Sequence, residues 1–241
     1  MYIRSDVLDW NFYSENGTGL SFEEEEVIVG RAHDMWRHAS SLITRECSEF
    51  SRIDAITGLK RAVNHRLKSI TDAYCFHVLP FTSQKKILEK LQFYGIIRPT
   101  LLKEIFELRN AIEHMDAPPP SIEQCNRYVD IIWYFLKSTD SLLSMRPDEI
   151  TFWSDDNEGT LDFDVKFNET WVITVMGELP AKYFLEHQIP DALEIDESIE
   201  RPQYIHSTIY GLWKPSAEQL CTFARKYFQL SGYWWEDHEQ P

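Results

Sequence analysis

The residue types best suited to chemistry lie together in one short segment, residues 108–114, with the sequence LRNAIEH. Arg109 presents a planar, permanently charged fork of donors that matches the oxygens of a phosphate. His114 exchanges a proton near neutral pH, so it can act as a general acid or a general base. Asn110 adds a neutral amide beside the arginine. These three residues are therefore the first candidates for a catalytic site.

The spacing of Arg109 and His114 limits how the two side chains can act together. Five residues rotate an α-helix by about 500°, so they lie roughly 140° apart rather than on one face. A cleft between two helices, or a last turn that unwinds before the prolines at 118–120, would bring both to one phosphate. The helix dipole would favour imidazolium at His114. The competing interpretation is structural: Arg109 pairs with Glu113 at i,i+4, and His114 caps the helix C-terminus.

Other titratable residues offer weaker candidates for substrate binding. Arg61 and His65 are four residues apart on an earlier predicted helix, and with Arg66 they could face the same cleft. A solvated helix face is the competing interpretation of this group. His33 and His38 have no second group of ligands at metal spacing, so we expect neither a metal nor another cofactor.

The charge of the chain is unevenly distributed. The formal net charge is −15, and residues 147–241 account for −13 of it, with 19 Asp and Glu against 6 Lys and Arg. Residues 51–110 instead hold 11 Lys and Arg against 5 Asp and Glu, a local excess of +6. The mean charge argues against a nucleic-acid partner, whereas this basic window allows one. Ordinary solvated helix surfaces would also account for it.

Periodic apolar residues predict about five helices joined by short loops in the first part of the chain. The second helix has the clearest stripe, with apolar residues three or four apart from Ile56 to Tyr74. The first predicted helix runs from 23 to about 50 and begins with acidic residues, and the second runs from 56 to 74. The third is capped by Ser83 and stopped by Gly95, and the fourth runs from Thr100 to the prolines at 118–120. The fifth begins at the Ser121–Gln124 capping box and runs to about Leu143.

After Pro147 the pattern changes to that of a small α+β domain. Alternating apolar residues predict strands at 161–167 and 171–175, with a further strand at 204–213. Ser216 and Gln219 make a capping box that opens a helix. We therefore predict two domains, a helical bundle at 1–147 and an acidic α+β domain at 148–241. We expect the tail aromatics Tyr233, Trp234 and Trp235 to dock onto their own domain rather than to stack on bases or on a partner.

The helical part resembles the HEPN superfamily. The segment from Arg109 to His114 resembles its R-x4-6-H motif, in which the catalytic arginine is commonly followed by a polar residue, here Asn110. The residues ITGLKR at 56–61, HRLK at 65–68 and GIIRP at 95–99 also resemble HEPN proteins of this layout, so the resemblance covers about residues 23–145.

The resemblance implies an endoribonuclease that needs no metal and leaves a 2′,3′-cyclic phosphate. Active members usually dimerise, so that Arg109 and His114 of two copies would share one cleft. We expect a toxin or defence effector that acts on RNA, with an antitoxin or regulatory protein as a possible further partner. A catalytically silent module that binds nucleic acid or protein is the alternative. Asp116 stands where a related branch has a modifiable tyrosine, so that kind of regulation is not expected.

We expect the protein to be cytoplasmic, because two kinds of targeting segment are missing from the sequence. No apolar run approaches the roughly 18–20 residues of a membrane span, so no membrane association is expected. Arg4, Asp6 and Asp9 stand where a secretory signal would need an apolar stretch. The four cysteines are scattered without a C-x-x-C pair and are expected to be reduced packing residues.

Overall fold

A computed structural model describes residues 1–14, 17–19, 24, 26–45, 48–80, 86–115, 117–203 and 205–230. It contains two compact units, one helical and one built around an antiparallel sheet. The helical unit comprises the described residues of Gly19–Ala73 and Lys86–Met145, and the sheet unit comprises those of Met1–Thr18, Tyr74–Lys85 and Arg146–Trp234. Several residues named above lie outside the described ranges: Ser83, Asp116, Tyr233, Trp234 and Trp235. The first residues of the predicted helix at 23 and of the predicted strand at 204 lie outside them as well.

The helical unit contains five α-helices among its described residues. They are α1 (Arg31–Arg45), α2 (Glu49–Ala73), α3 (Ile87–Phe93), α4 (Thr100–Met115) and α5 (Ile122–Ser144), and a π-helical turn at Glu26–Gly30 leads into α1. The prediction that the first helix extends to Phe50 is wrong, because α1 ends at Arg45 and Phe50 lies on α2 with 77% of its surface exposed.

The apolar stripe of α2 forms the centre of the helical core. Its members are fully or almost fully buried: Ile56, Leu59, Val63, Leu67 and Ile70. Helices α1 and α2 approach closely at Gly58, where an added Cβ would lie 3.0 Å from the Cβ of Ala39. An alanine at position 58 would therefore push the two helices apart by a few tenths of an ångström.

Local signals fix the end of α3 and the start of α5, the helices on either side of α4. Gly95 adopts φ 75° after α3, a conformation that glycine tolerates best. The Ser121 hydroxyl accepts a hydrogen bond from the Gln124 backbone at 3.2 Å, and the Gln124 side chain accepts one from the Ser121 backbone at 2.9 Å. These bonds make the predicted capping box at the start of α5.

The sheet unit contains one eight-stranded antiparallel sheet. The described strands are β1 (Tyr2–Ile3), β2 (Asn11–Tyr13), β3 (Gly17–Gly19), β4 (Met145–Pro147), β5 (Glu149–Trp153), β6 (Thr160–Asn168), β7 (Thr170–Glu178), β8 (Phe184–Leu185), β9 (Leu193–Asp196) and β10 (Ile209–Trp213). The order of the strands in the eight-stranded sheet is β2-β5-β6-β7-β10-β9-β1-β8. Helix α6 (Ala217–Leu230) contributes Phe223, which packs against Phe163 and Trp213 from the sheet. Short 3-10 helices lie at Ser5–Asp9 and Ala181–Tyr183.

The predicted division at residue 147 needs one correction. The chain does change character at Arg146, but the described residues of 1–18 and 74–85 belong to the sheet unit rather than to the helical one. Strand β1 pairs with β8 and β9, and β2 pairs with β5, so the N-terminus completes a sheet whose other strands lie after Pro147. Within the described residues, no helix has the length and apolar character needed to cross a membrane.

Candidate functional site

Arg109 lies on α4 and is partly buried, with a quarter of its side chain exposed. Buried Leu102 and Ile105 hold α4 in the bundle, and Arg109 follows on the next turn. One terminal guanidinium nitrogen of Arg109 forms an ion pair with Glu113. The Nε of Arg109 is buried and has no hydrogen-bond partner among the described residues. The arginine therefore keeps donor capacity that its own helix does not satisfy.

Lys60, on α2, extends this group and was not predicted as a site residue. Its Nζ donates a long hydrogen bond of 3.5 Å to Oδ1 of Asn110 and lies 5.5 Å from the centre of the Phe106 ring. Because α2 and α4 pack together, Lys60 meets residues about fifty positions later in the chain. A lysine among other cations of a solvated helix carries no sequence signal for such a contact.

The charges around Lys60 affect its protonation. Partial burial lowers the pKa of Lys60, the nearby Arg109 charge lowers it further, and Glu113 acts in the opposite direction. Two cations therefore lie within electrostatic reach of each other, with one carboxylate offsetting their repulsion. We name Lys60, Arg109, Asn110 and Glu113 the α2–α4 cluster.

His114 lies in the last turn of α4 and is exposed to solvent. The helix continues through Met115, so the last turn does not unwind to bring His114 towards Arg109. Regular helical geometry then keeps the two side chains roughly 140° apart. Within the part of the chain that the structure describes, no hydrogen bond or ion pair joins them. The Arg109–Glu113 pair that the structural interpretation required is present.

The three predicted substrate-binding residues on α2 separate from one another. Arg61 is exposed, and His65 is partly buried with an Nδ1 that has no hydrogen-bond partner among the described residues. Burial lowers the pKa of His65, and the charges of Arg31, Arg66 and Lys68 lower it further. Arg66 has no exposed surface. The prediction that Arg66 binds substrate is therefore wrong for this fold, because no ligand can reach it.

Arg66 instead joins three elements inside the helical unit. Its guanidinium donates to the Leu136 carbonyl at 2.9 Å and to the Val29 carbonyl at 3.2 Å. It also forms an ion pair of 2.8 Å with Asp140, which His33 approaches at 2.9 Å. We name Arg66, Asp140 and His33 the buried charge cluster.

The buried charge cluster also accounts for His33, one of the two histidines considered above as metal ligands. His33 uses its Nε2 on both oxygens of Asp140, at 2.9 and 3.1 Å. Across the described ranges, no three His, Cys, Asp or Glu side chains gather as a metal site requires. The α2–α4 cluster is a group of donors in the helical unit that is partly open to solvent.

Comparison with known proteins adds no relative of this chain. No family model, no curated protein and no solved structure matches it.

Proposed function

We propose that the helical unit is a metal-independent endoribonuclease of the HEPN type, with Arg109 and His114 as the catalytic residues and Asn110 as a neighbouring polar contact. The observation that carries the proposal is the partly exposed Arg109, next to the Asn110 that receives a hydrogen bond from Lys60, and five residues before an exposed His114. Such a group offers charge for a phosphate and an accessible proton donor.

RNA brings its own nucleophile, so the protein needs only to stabilise charge and move protons. The 2′-oxygen attacks the phosphorus while its proton passes to water, and the P–O5′ bond breaks to leave a 2′,3′-cyclic phosphate. Arg109 would stabilise the negative charge that grows on the phosphoryl oxygens. His114 would donate its proton to the departing 5′-oxygen. Neither step calls on a metal ion.

A two-fold homodimer would solve the geometric problem that α4 poses. Arg109 and His114 of one chain point in different directions, so one phosphate would meet Arg109 of one copy and His114 of the other. A two-fold interface is self-complementary, so it would create two such composite sites. Light scattering should then give about twice the 28.5 kDa chain mass, rather than the monomer, at micromolar concentration.

The decisive test is cleavage of single-stranded RNA in excess EDTA by the wild type, Arg109→Ala and His114→Ala. We expect each substitution to slow cleavage by at least about 100-fold, the usual contribution of a general acid or a charge-stabilising donor. Circular dichroism should show unchanged helix content, because both residues are partly or fully exposed. Equal cleavage by all three proteins would exclude the assignment.

Mixing the two inactive variants tests the composite site itself. A mixed dimer of Arg109→Ala and His114→Ala chains would contain one intact site, with Arg109 and His114 from different copies. Random exchange of subunits should restore about a quarter of the wild-type activity. If the two residues act within one chain, no mixed dimer has an intact site and activity stays absent.

One observation favours the alternative of a catalytically silent binding module. Glu113 already occupies Arg109 through an ion pair within the same helix. Such a module would bind RNA or a protein without cutting it, and Arg109→Ala would change binding only. Expression in a bacterial host separates the two: an RNA-cutting toxin or defence effector should slow growth as the wild type but not as His114→Ala. The antitoxin or regulatory protein expected above as a partner belongs to the same proposal.

A further inference from the structure

The α2–α4 cluster contains two cations and one carboxylate from two helices. Lys60 comes from α2, whereas Arg109 and Glu113 come from α4. Lys60 donates a hydrogen bond to Asn110, the neighbour of Arg109 on α4, and the charges of Arg109 and Glu113 both act on Lys60. An anion that lies near Lys60 and Arg109 offsets the repulsion between these two cations.

We infer that Lys60 and Arg109 form one phosphate-binding site, in which the Glu113 carboxylate holds the position that an RNA phosphate takes over. This inference rests on the proposed function and names the residues that receive the RNA backbone. Glu113 is then a built-in competitor of the substrate. Lys60 becomes a binding residue that acts by direct contact with the phosphate.

The bonds of Arg109 agree with a replaceable occupant. Glu113 pairs with one terminal nitrogen of the guanidinium, and a quarter of the arginine side chain is exposed. A phosphate has more acceptor oxygens than a carboxylate, so it can accept from the guanidinium and from a second donor at the same time. Ion pairs four residues apart on an open helix face are weak, so an incoming phosphate meets little resistance.

Asn110 adds a neutral contact to the same site. Lys60 donates to the side-chain oxygen of Asn110, which leaves the amide nitrogen as a donor for a ligand. RNA carries 2′-hydroxyl and phosphate acceptors at neighbouring positions along its backbone. The site therefore offers donors of three kinds, an ammonium, a guanidinium and an amide, within one surface.

Helix α2 also provides a matched control pair. Lys68 and Asp72 form an ion pair on the same helix, with 75% and 62% of their side chains exposed. Removing the Lys68 charge changes the net charge of the protein by as much as removing the Lys60 charge. Removing the Asp72 charge changes it by as much as removing the Glu113 charge. Substitutions at Lys68 and Asp72 therefore measure the general electrostatic effect on RNA binding.

The test measures RNA binding in the full-length His114→Ala protein, which should bind without cutting. The probe is a fluorescein-labelled single-stranded RNA of twelve or so nucleotides, followed by anisotropy across a range of salt concentrations. We expect Glu113→Gln to tighten binding about five-fold and Lys60→Ala to weaken it about ten-fold, with the salt slope reduced by about one. Lys60→Arg should keep most of the affinity, because a cation remains at that position.

Coupling between the two residues decides the inference. In the Lys60→Ala background, Glu113→Gln should tighten binding less than two-fold, because the site is no longer complete. Lys68→Ala and Asp72→Asn should each change the affinity by less than two-fold. The inference is overturned if these controls match the variants at Lys60 and Glu113, if the gain from Glu113→Gln survives without Lys60, or if the protein binds no RNA.

The binding test and the cleavage test can fail separately. If the wild type cuts RNA through Arg109 and His114 but Lys60 behaves like Lys68, the endoribonuclease assignment stands and this inference falls. If the protein binds RNA through coupled Lys60 and Glu113 but never cuts it, the phosphate site stands and the silent-module alternative replaces the enzyme.

Discussion

Arg66 and Arg109 belong to the same helical unit, but they meet opposite environments. Arg66 is fully buried and bonded to two backbone carbonyls, a threonine hydroxyl and Asp140. Arg109 is a quarter exposed and has Glu113 as its ion-pair partner. The Nε of each arginine is buried without a hydrogen-bond partner among the described residues, so the two differ in exposure and in the partners of their terminal nitrogens. The first arginine holds helices together, whereas the second has capacity left for a ligand.

The contrast teaches that the partners of a charged side chain, more than its residue type, decide what it can do. An arginine that has no exposed surface and is bonded to carbonyls, a hydroxyl and Asp140 cannot receive a phosphate without breaking the fold. An arginine held by one local carboxylate can exchange that partner for another anion. Three predictions test whether this division is real.

Replacing Arg66 with methionine should cause the largest loss. Methionine fills similar space but removes the closest cation of Asp140, which keeps His33 at 2.9 Å and Lys137 at 3.3 Å. Breaking a fully buried charge pair costs about 3–5 kcal/mol of unfolding free energy, and we expect the lower end, about 3 kcal/mol, because Asp140 is 22% exposed. Urea unfolding followed by the helical circular dichroism signal measures the loss. RNA binding by the variant, measured where it is still folded, should stay close to that of the wild type.

A double variant shows whether the loss of stability comes from the Asp140 charge that Arg66→Met leaves without its arginine partner. Arg66→Met combined with Asp140→Leu removes both charges, so it should recover part of the stability. A cost below about 1 kcal/mol for Arg66→Met alone would mean that the cluster contributes no more than an ordinary surface pair. In that case the contrast between the two arginines would fail.

The second prediction concerns acid and should show a smaller effect. Burial alone would raise the pKa of Asp140, but hydrogen bonds from His33 and Arg66, and their charges, lower it below its ordinary value. Lys137 also approaches Asp140, at 3.3 Å. A carboxylate whose pKa is lowered in the folded state stabilises the fold at pH values above its unfolded pKa of about 3.9. That contribution is lost as the pH falls through the pKa of the folded state.

Asp140→Asn isolates this contribution. The amide keeps the shape but not the charge, so it should cost about 1.5–3 kcal/mol near neutral pH, the usual range for hydrogen bonds to charged groups. The difference from the wild type should stay constant above about pH 5 and shrink below about pH 4. Urea midpoints of both proteins at several pH values provide the measurement. A difference that grows in acid would contradict the assigned role of Asp140.

Much of the secondary structure was predictable because its signals are local. The stripe from Ile56 to Ile70 is buried as its spacing required, and the capping box at Ser121 starts α5. The predicted strand pair appears as β6 and β7, paired from Thr160 opposite Glu178 to Asn168 opposite Thr170. Periodicity and caps depend on neighbours three or four residues away, so sequence alone carries them.

What sequence could not supply depends on partners far along the chain. Strands β1 and β2 are two and three residues long, too short for a periodic signal, and their pairing partners lie after Pro147. Arg66 looked like one more cation on a basic helix, since Asp140 is 74 positions later. Lys60 was overlooked as a site residue for the same reason, because Asn110 is fifty positions away.

The third prediction has the smallest effect and is the most direct test of the contrast. Arg109→Met removes an ion pair between side chains that are 25% and 31% exposed, so it should cost only about 0.2–0.5 kcal/mol. Its effect on stability should also fade in high salt, which screens exposed charges. The same substitution should abolish RNA cleavage. Arg109→Met should therefore lower activity strongly and stability little, whereas Arg66→Met should lower stability strongly and leave RNA binding nearly unchanged. Urea unfolding at low and high salt, beside the cleavage assay, measures both responses. A loss near that of Arg66→Met would make Arg109 a second structural arginine, and its partial exposure would then not indicate a site for a phosphate.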